Sequence, residues 1–266
     1  METDLVLADG RTLHLYDTGA GTPVFWHHGT PQIGAVPAPL LALPGIRWLS
    51  YDRPGYGGST GHPGRTIASA AADVAAIADS LGVSRFSVLG HSGGANHALA
   101  CAALLPDRVT RCVTVGALAP FEPDGLDWWA GMVAPEELRA TVAGREALAR
   151  QLATGAFDPN SFTPADHAAV AGTWSELGHN AGLATANGFD GMIDDDLAYV
   201  TPWGFPVAEI RRPVLLLHGE QDRIIPFAHA QWLARQLPDA TLRPSSSDGH
   251  ISALDRILDV VEFLHG

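Results

Sequence analysis

Short apolar runs alternate with helix-like segments along much of this 266-residue chain. Five of these runs are rich in apolar residues and end at Gly or polar turns, which is typical of buried strands: 23–29, 47–52, 85–92, 111–117 and 212–220. Two Ala-rich segments between them, 66–82 and 94–107, have helical spacing and stop at Gly or Pro. This alternation predicts the α/β class, with a mostly parallel sheet flanked by helices.

The alternation stops between residues 121 and 206, where helix-period residues continue without a convincing strand. We therefore predict a core domain formed by residues 1–120 and 207–266, interrupted by a helical insertion at 121–206. Near the start of the chain, apolar and polar residues alternate around Asp9-Gly10. That pattern predicts a β-hairpin.

Composition limits the classes of partner. The chain is 46% hydrophobic and carries a formal net charge of −13, which favours one globular unit with a solvated acidic surface. Its 16 Lys and Arg residues are scattered, whereas a nucleic-acid surface needs them clustered. We predict a small-molecule substrate and no nucleic-acid partner. The sequence carries no indication of the oligomeric state.

The chain shows no signal of membrane insertion or secretion. No window approaches 18 apolar residues, and the first residues lack the basic and apolar regions of a signal peptide. Cys101 and Cys112 are too few for a disulfide framework, and both fall in apolar patterns. We expect a cytoplasmic protein with two buried thiols and no membrane partner.

Metal and cofactor patterns are absent from the sequence. There is no HExxH, no CxxC and no GxGxxG after a first strand. The acidic run "DGMIDDDLAY" at 190–199 lacks the glycine and the terminal glutamate of a calcium loop. We predict that no metal or cofactor is needed and that this run is a solvated loop.

Ser92 lies in "GHSGG" (90–94), between a buried strand and a helix. A serine held at such a sharp turn has strained backbone angles, and Gly90 and Gly94 let strand and helix approach each other. The first N–H groups of the helix favour a negative charge beside the hydroxyl. The motif predicts that Ser92 is a nucleophile.

A serine nucleophile needs an imidazole to accept its proton and a carboxylate to orient that imidazole. Asp222 follows a buried strand in "HGEQDRIIP", and His250 lies in the polar loop "SSSDGHIS". We predict that these two residues complete the catalytic set, with Glu122 and Asp124 as other candidates for the acid. Upstream, "FWHHGTP" leaves a strand into a turn at Thr30, where a backbone N–H can face the serine.

With these motifs in order, the sequence resembles the α/β-hydrolase superfamily in its serine-nucleophile branch, which includes esterases and proline iminopeptidases. The resemblance covers nearly the whole chain and is carried by five motifs: "HHGTP" (27–31), "YDRPGYGGS" (51–59), "GHSGG" (90–94), "HGEQDRIIP" (218–226) and "DGH" (248–250). It implies an eight-stranded sheet, a helical cap inserted after the sixth strand, and a Ser92–His250–Asp222 triad. It also implies that the backbone N–H groups of Thr30 and Gly93 form the oxyanion hole. Relatives that open epoxides or remove halides have an aspartate where this chain has Ser92, so those activities are not expected.

The predicted function is hydrolysis of carboxylic esters of small to medium, largely apolar substrates through an acyl-enzyme. One alternative resembles proline iminopeptidases, whose cap carboxylates bind the free amino group of the substrate. Its candidate anchors here are Glu176, Asp190 and Asp194–Asp196. Two further alternatives are a non-hydrolytic biosynthetic or lyase enzyme and a ligand-binding protein with a vestigial triad.

The substrate pocket is the least constrained part of the prediction. Tryptophans of the insertion either line an apolar pocket or pack the insertion itself, since aromatic side chains do both. Histidines near the motifs are treated as pocket or core residues, and we expect His28 to fix its loop. The candidate pocket residues are His28, His91, Trp128, Trp129 and Trp203.

Overall fold

The structure of the protein is a computed structural model that describes residues 1–265, apart from the side chain of Asp259. Its strands are β1 (Glu2–Val6), β2 (Thr12–Asp17), β3 (Thr22–His27), β4 (Ile46–Tyr51), β5 (Phe86–His91), β6 (Val109–Val115), β7 (Val214–Gly219) and β8 (Ala240–Ser245). They form one eight-stranded sheet in the order β1-β2-β4-β3-β5-β6-β7-β8. The β1–β2 and β2–β4 pairs are antiparallel, and the other pairs are parallel.

Helices fill the connections between the strands. They are α1 (Ala38–Leu41), α2 (Ser69–Ser80), α3 (Gly93–Leu104), α4 (Glu136–Val142), α5 (Arg145–Thr154), α6 (Pro164–Ala171), α7 (Glu176–Thr185), α8 (Asp190–Tyr199), α9 (Ala228–Gln236) and α10 (Val261–His265). Short 3₁₀ segments span Pro159–Ser161, Val207–Glu209 and Ser252–Asp259. Parallel neighbours need such crossovers because each strand must return to the same end of the sheet.

Both faces of the sheet are buried, which explains why its strands are continuous apolar runs. Successive side chains of a strand point to opposite faces. Val88 of β5 packs in a cluster with α2 and α3, whereas the next residue, Leu89, packs in a second cluster with α10. Each cluster contains residues from several central strands.

The predicted α/β class is confirmed, with a mostly parallel sheet flanked by helices. Each of the five apolar runs contains a strand, and the two Ala-rich segments contain α2 and α3. The hairpin is confirmed by the pairing of β1 with β2. Cys101 and Cys112 are buried free thiols, as expected.

The segment predicted as an insertion, residues 121–206, contains helices α4 to α8. These five helices, here called the inserted helices, lie between β6 and β7 in the chain. All of residues 116–213 are described, and none of them is in a strand. In residues 1–265, no helix is both long and apolar enough to cross a membrane.

Candidate active site

Ser92 occupies a strained turn between β5 and α3. Its backbone angles are φ 54° and ψ −128°, a conformation that non-glycine residues rarely adopt. The flanking glycines are required by close backbone approach, because a Cβ atom on Gly90 would overlap the carbonyl of Gly94. A Cβ atom on Gly94 would in turn overlap the carbonyl of His27. The strained turn predicted from "GHSGG" is confirmed.

Asp222 and His250 form a buried pair. His250 Nδ1 lies 2.7 Å from Asp222 Oδ2, and the two residues are 3% and 6% exposed. Asp222 Oδ1 accepts hydrogen bonds from the backbone N–H groups of Ile224 at 2.9 Å and Ile225 at 2.8 Å. These bonds hold the carboxylate in place, so its other oxygen can orient the imidazole.

The surroundings of the pair favour a charged carboxylate and a basic imidazole. Burial opposes ionisation of Asp222, but the adjacent His250 outweighs it and lowers the pKa of the carboxyl group. Burial likewise opposes protonation of His250, but Asp222 raises the pKa of the imidazole above its ordinary value. Because an ionised Asp222 accepts the proton on Nδ1, the neutral imidazole has Nε2 free to act as a base.

Contacts on both sides of Ser92 bring it to His250. The Ser92 N–H donates to the carbonyl of Val115 at 2.8 Å, and the next residue, Gly116, lies against the imidazole. A Cβ atom on Gly116 would be 3.2 Å from His250 Nδ1. The His91 ring lies 5.0 Å from the His250 ring, centroid to centroid. The chain thus assembles both residues at the carboxyl ends of parallel strands, where α/β proteins place their sites.

The loop after β3 lies on another side of Ser92. A Cβ atom on Gly29 would be 3.6 Å from the Cβ atom of Ser92, and one on Gly93 would be 2.7 Å from Thr30 Oγ1. The same position on Gly93 would overlap the hydroxyl of Tyr199, a residue of α8. In the described chain, the backbone N–H groups of Thr30 and Gly93 donate to no backbone carbonyl. Two free donors therefore lie beside the serine.

Arg53 holds the loop that carries Thr30. Its guanidinium donates to the carbonyl of His28 and, at 3.0 Å, to the carbonyl of Gly29. It also donates to Thr30 Oγ1 at 3.1 Å and to Asp195 Oδ2 at 2.7 Å. Arg53 is 1% exposed, so these bonds are shielded from water.

Asp195 of α8 connects the inserted helices to this loop. It is 0% exposed and accepts hydrogen bonds from Thr30 Oγ1 at 2.9 Å, Tyr56 at 2.9 Å and Arg65 at 2.8 Å, besides that from Arg53. Burial opposes its ionisation, but the two guanidinium groups outweigh it and hold the pKa of Asp195 well below its usual range. Asp195 is therefore a charged group in the interior.

Comparison with known proteins identifies the family. The family model of the alpha/beta hydrolase fold matches residues 22–257. The chain belongs to the α/β-hydrolase family. It is 29% identical over 242 residues to a non-heme haloperoxidase of Rhodococcus erythropolis, covering 84% of this chain and 83% of the relative. It is 27% identical over 262 residues to a 2-hydroxy-6-oxo-2,4-heptadienoate hydrolase of Pseudomonas putida, covering 92% and 88%.

The fold is also shared with solved structures of this family. A thermophilic esterase from Thermogutta terrifontis superimposes with a TM-score of 0.75 at 19% sequence identity, covering 99% of this chain and 97% of that chain. This similarity shows the α/β-hydrolase fold. Family membership and the relatives named as hydrolases together support hydrolase activity for the protein.

The two predicted pocket histidines of this α/β-hydrolase are buried and hydrogen-bonded. His28 Nδ1 donates to the Gly29 carbonyl at 2.8 Å, and Nε2 accepts from the Arg53 N–H at 3.1 Å. These bonds fix the loop, as expected for His28. His91 Nε2 lies 3.2 Å from the backbone carbonyl of His250, and burial lowers the pKa of His91 to about 3. Whether either residue contacts a substrate stays a prediction.

The predicted pocket tryptophans differ in their exposure. Trp128 is 1% exposed and donates to the carbonyl of Ala119, and Trp203 is 3% exposed and donates to the carbonyl of Tyr199. Both lie in the hydrophobic core. Trp129 is partly buried, with its ring 4.8 Å from that of Trp128. These contacts are those of packing residues, and a pocket role for the three remains a prediction.

The prediction of a solvated acidic loop at 190–199 is wrong. These residues form α8, and Asp194, Asp195 and Asp196 are 3%, 0% and 3% exposed. The physical reason is neutralisation. Arg65 pairs with both Asp194 and Asp195, whereas burial and then the nearby charge of Glu137 raise the pKa of the Asp196 carboxyl group well above its usual range.

Other acidic residues considered from sequence lie elsewhere. Glu176 accepts a hydrogen bond from the Ala38 N–H at 2.8 Å, and Asp190 pairs with Arg145 on the surface. Glu122 and Asp124 are exposed, and neither is hydrogen-bonded to His250. Across residues 1–265, no three or more His, Cys, Asp or Glu side chains are grouped to hold a metal ion.

Sequence reasoning missed the roles of Arg53, Asp195 and Tyr199. Arg53 lies within "YDRPGYGGS", but nothing in that motif reveals its partner. Asp195 and Tyr199 are four residues apart, which places them on one face of a helix. That spacing was a usable signal once residues 190–199 were assigned to a helix.

Proposed function

We propose that the protein is a serine hydrolase that cleaves carboxylic esters, with Ser92 as nucleophile, His250 as general base and Asp222 as the orienting acid. The observation that carries the proposal is the 2.7 Å contact between His250 and Asp222, with the ring of His91, the residue before a serine of φ 54°, 5.0 Å from the ring of His250. A strained serine turn and an oriented imidazole have no evident structural purpose together.

In the first half of the reaction, Ser92 Oγ attacks the ester carbonyl carbon as His250 Nε2 accepts the hydroxyl proton. The carbonyl oxygen becomes an anion that accepts hydrogen bonds from the Thr30 and Gly93 N–H groups. The C–O bond to the alcohol then breaks, and the alcohol leaves with the proton from His250.

In the second half, water attacks the acyl group on Ser92 and gives a proton to His250. The same two N–H groups bind the second oxyanion. The acid leaves as the bond to Ser92 Oγ breaks, and His250 returns the proton to the serine. Asp222 stays ionised throughout and stabilises the imidazolium.

Esters are favoured over aminoacyl amides because of the charges on α8. An aminopeptidase of the alternative kind needs a free carboxylate to bind the substrate ammonium. Asp194 and Asp195 are already paired with arginines, and burial raises the pKa of Asp196, which disfavours its charged form. With no dedicated anchor, little binding energy is available for cleaving an amide. Short to medium-chain or aromatic esters are the proposed substrates.

The proposal is tested by labelling and turnover with the purified protein. A fluorophosphonate probe should label the wild type stoichiometrically and should not label Ser92→Ala. Turnover of p-nitrophenyl butyrate should fall on the order of 10⁵- to 10⁶-fold in Ser92→Ala, because the catalytic residues act as a unit. Ser84→Ala, which changes an exposed serine just before β5, should behave as wild type.

Two outcomes would contradict the proposal. Labelling that persists in Ser92→Ala would remove the nucleophile assignment. A higher kcat/KM for L-prolyl p-nitroanilide than for every uncharged ester tested would establish the peptidase alternative instead.

A further inference from the structure

The loop that carries Thr30 is attached to the inserted helices rather than to the sheet alone. Arg53 binds the carbonyls of His28 and Gly29, which are the two residues before Thr30. Thr30 Oγ1 itself contacts Arg53, Asp195 and, at 2.7 Å, the hydroxyl of Tyr199. Its side chain is therefore held from three directions.

Both of the groups that reach this loop from α8 lie on one helical face. Asp195 and Tyr199 are 0% and 3% exposed, and they are one turn of helix apart. Asp195 has no solvent to stabilise its charge, so its position is set by the donors around it. The Tyr199 hydroxyl contacts Thr30 Oγ1 and lies against Gly93. One helix therefore touches both residues whose N–H groups are the proposed oxyanion donors.

We propose that Asp195 is a positioning residue for the oxyanion hole, acting through Arg53 and Thr30. This inference rests on the proposed function. Asp195 fixes the guanidinium of Arg53 and the hydroxyl of Thr30, and together they set the direction of the Thr30 backbone N–H. The inserted helices thereby contribute to the acceleration of the chemical step.

The physical argument is that hydrogen bonds to an oxyanion depend steeply on direction. A donor helps when it is aimed at the oxygen of the transition state before the reaction begins. A buried ion pair adds little net stability, because desolvation offsets its Coulomb energy. Four donor atoms of Arg53, Tyr56 and Arg65, together with the Thr30 hydroxyl of the loop, converge on this one carboxylate, which suits a role in geometry.

Asp194 provides a matched control for Asp195. It is the preceding residue of α8, it is 3% exposed, and it also pairs with Arg65. Its other partner is Arg145 on the inserted helices. Asp194 makes no hydrogen bond to the loop of residues 28–30 in the described structure. Replacing either Asp by Asn removes one buried negative charge from the same helix.

The test compares Asp195→Asn with Asp194→Asn on p-nitrophenyl butyrate. Asp195→Asn should lower kcat roughly 10- to 100-fold. This loss is smaller than the roughly 10²- to 10³-fold loss that follows removal of an oxyanion donor, because the Thr30 N–H is misdirected and not removed. Its KM should stay within about threefold of wild type, because ground-state binding does not use the oxyanion contacts. Asp194→Asn should keep kcat within about threefold of wild type.

A transition-state analogue separates positioning from loss of structure. A trifluoromethyl ketone forms a tetrahedral adduct with the serine, so its inhibition constant should rise in Asp195→Asn by the same factor as kcat/KM falls. A general loss of structure would instead raise KM and lower the labelled fraction with fluorophosphonate. Thr30→Val, which removes the hydroxyl and keeps the backbone N–H, should reproduce the kcat effect if Asp195→Asn is poorly folded.

Different results would contradict the proposed function and the positioning role of Asp195. If wild type is not labelled at Ser92 and turns over no ester, the proposed function is wrong. If wild type is active but Asp195→Asn and Asp194→Asn lose activity equally, or if Asp195→Asn changes KM alone, the positioning role is overturned and Asp195 is a structural residue.

Discussion

Among single residues, three buried aspartates show how surroundings decide the charge of a carboxyl group. Asp222 and Asp195 are held ionised by an imidazole and by guanidinium groups that outweigh the effect of burial. Asp196 has no such partner, and burial raises the pKa of its carboxyl group well above the usual range. The same residue type is thus stabilised as an anion at two positions and disfavoured as an anion at a third.

At this scale we predict that Asp222 sets both the rate and its pH dependence. In wild type, kcat/KM should rise with pH through an apparent pKa above the ordinary value of about 6.5, because Asp222 raises the pKa of His250 and only the neutral imidazole is a base. Asp222→Asn should lower kcat roughly 10⁴-fold and move the rise in kcat/KM to lower pH. Glu122→Gln is the control and should keep the wild-type profile. A loss below about tenfold in Asp222→Asn would mean that another acid orients His250.

At the scale of elements, α8 is a helix in which three of the four aspartates are buried. Asp194, Asp195 and Asp196 point in different directions because successive helical residues are about 100° apart. Asp194 pairs with Arg145 and Arg65, Asp195 pairs with Arg53, Arg65 and the Thr30 loop, and Asp196 lies beside Glu137 of α4. Asp196 Oδ2 is buried without a hydrogen-bond partner, and burial raises the pKa values of both Asp196 and Glu137, so we expect the contact between α4 and α8 to depend on protonation.

We predict that this contact weakens as pH rises. The pKa values of Asp196 and Glu137 are raised in the folded protein, so their stabilisation is present at acidic pH and is lost as pH rises above the unfolded values near 4. Asp196→Asn keeps a donor to Glu137 without needing a proton. The free energy of unfolding of Asp196→Asn minus that of wild type should therefore increase by on the order of 1 kcal/mol from pH 5 to pH 8, because one pKa unit is worth about 1.4 kcal/mol. Urea unfolding at both pH values measures this, with Asp190→Asn as an exposed control. Equal shifts in all three proteins would contradict a contact that depends on protonation.

At the scale of the whole molecule, the inserted helices and the rest of the chain are connected by buried polar contacts. One such contact, besides that of Asp195, is Asp166 of α6, which is 0% exposed. Its carboxylate accepts hydrogen bonds from the backbone N–H groups of Ile251 at 2.8 Å and Ser252 at 2.9 Å. The loop that carries His250 is therefore held by a residue more than 80 positions away in the chain.

We predict that Asp166→Ala destabilises the whole protein in a single transition. It leaves three buried backbone N–H groups without acceptors, those of Thr163, Ile251 and Ser252, which should cost at least about 3 kcal/mol in the free energy of unfolding at roughly 1–3 kcal/mol each. Tryptophan fluorescence and far-UV circular dichroism should report the same midpoint in urea, because the inserted helices cannot unfold without releasing the contacts of the sheet. Asp107→Ala, at an exposed turn before β6, should change stability by less than about 0.5 kcal/mol. Two separated transitions would show that the inserted helices unfold independently.

The local features were determined by the sequence itself. Apolar runs bounded by Gly indicate buried strands because their spacing and length leave few other structures, and the β5–α3 turn follows from steric contacts within five residues, Gly90 to Gly94. The chain order of the proposed Ser92, Asp222 and His250 was also read from the sequence, since Ser92 and Asp222 follow predicted strands and His250 lies in a polar loop. These features depend on neighbours close in sequence or on a regular period.

Only the tertiary structure decided whether the aspartates of α8 are buried and ionised, and how the tryptophans pack. Asp195 lies 165 residues from Thr30, and the two meet because the chain folds α8 against the loop after β3. A run of three aspartates has the same sequence signal whether it faces water or arginines, and the cost of burying it is settled by partners that lie far away in the chain. The conformation of a turn depends on its own residues, whereas the charge and burial of a side chain depend on whatever the fold places beside it.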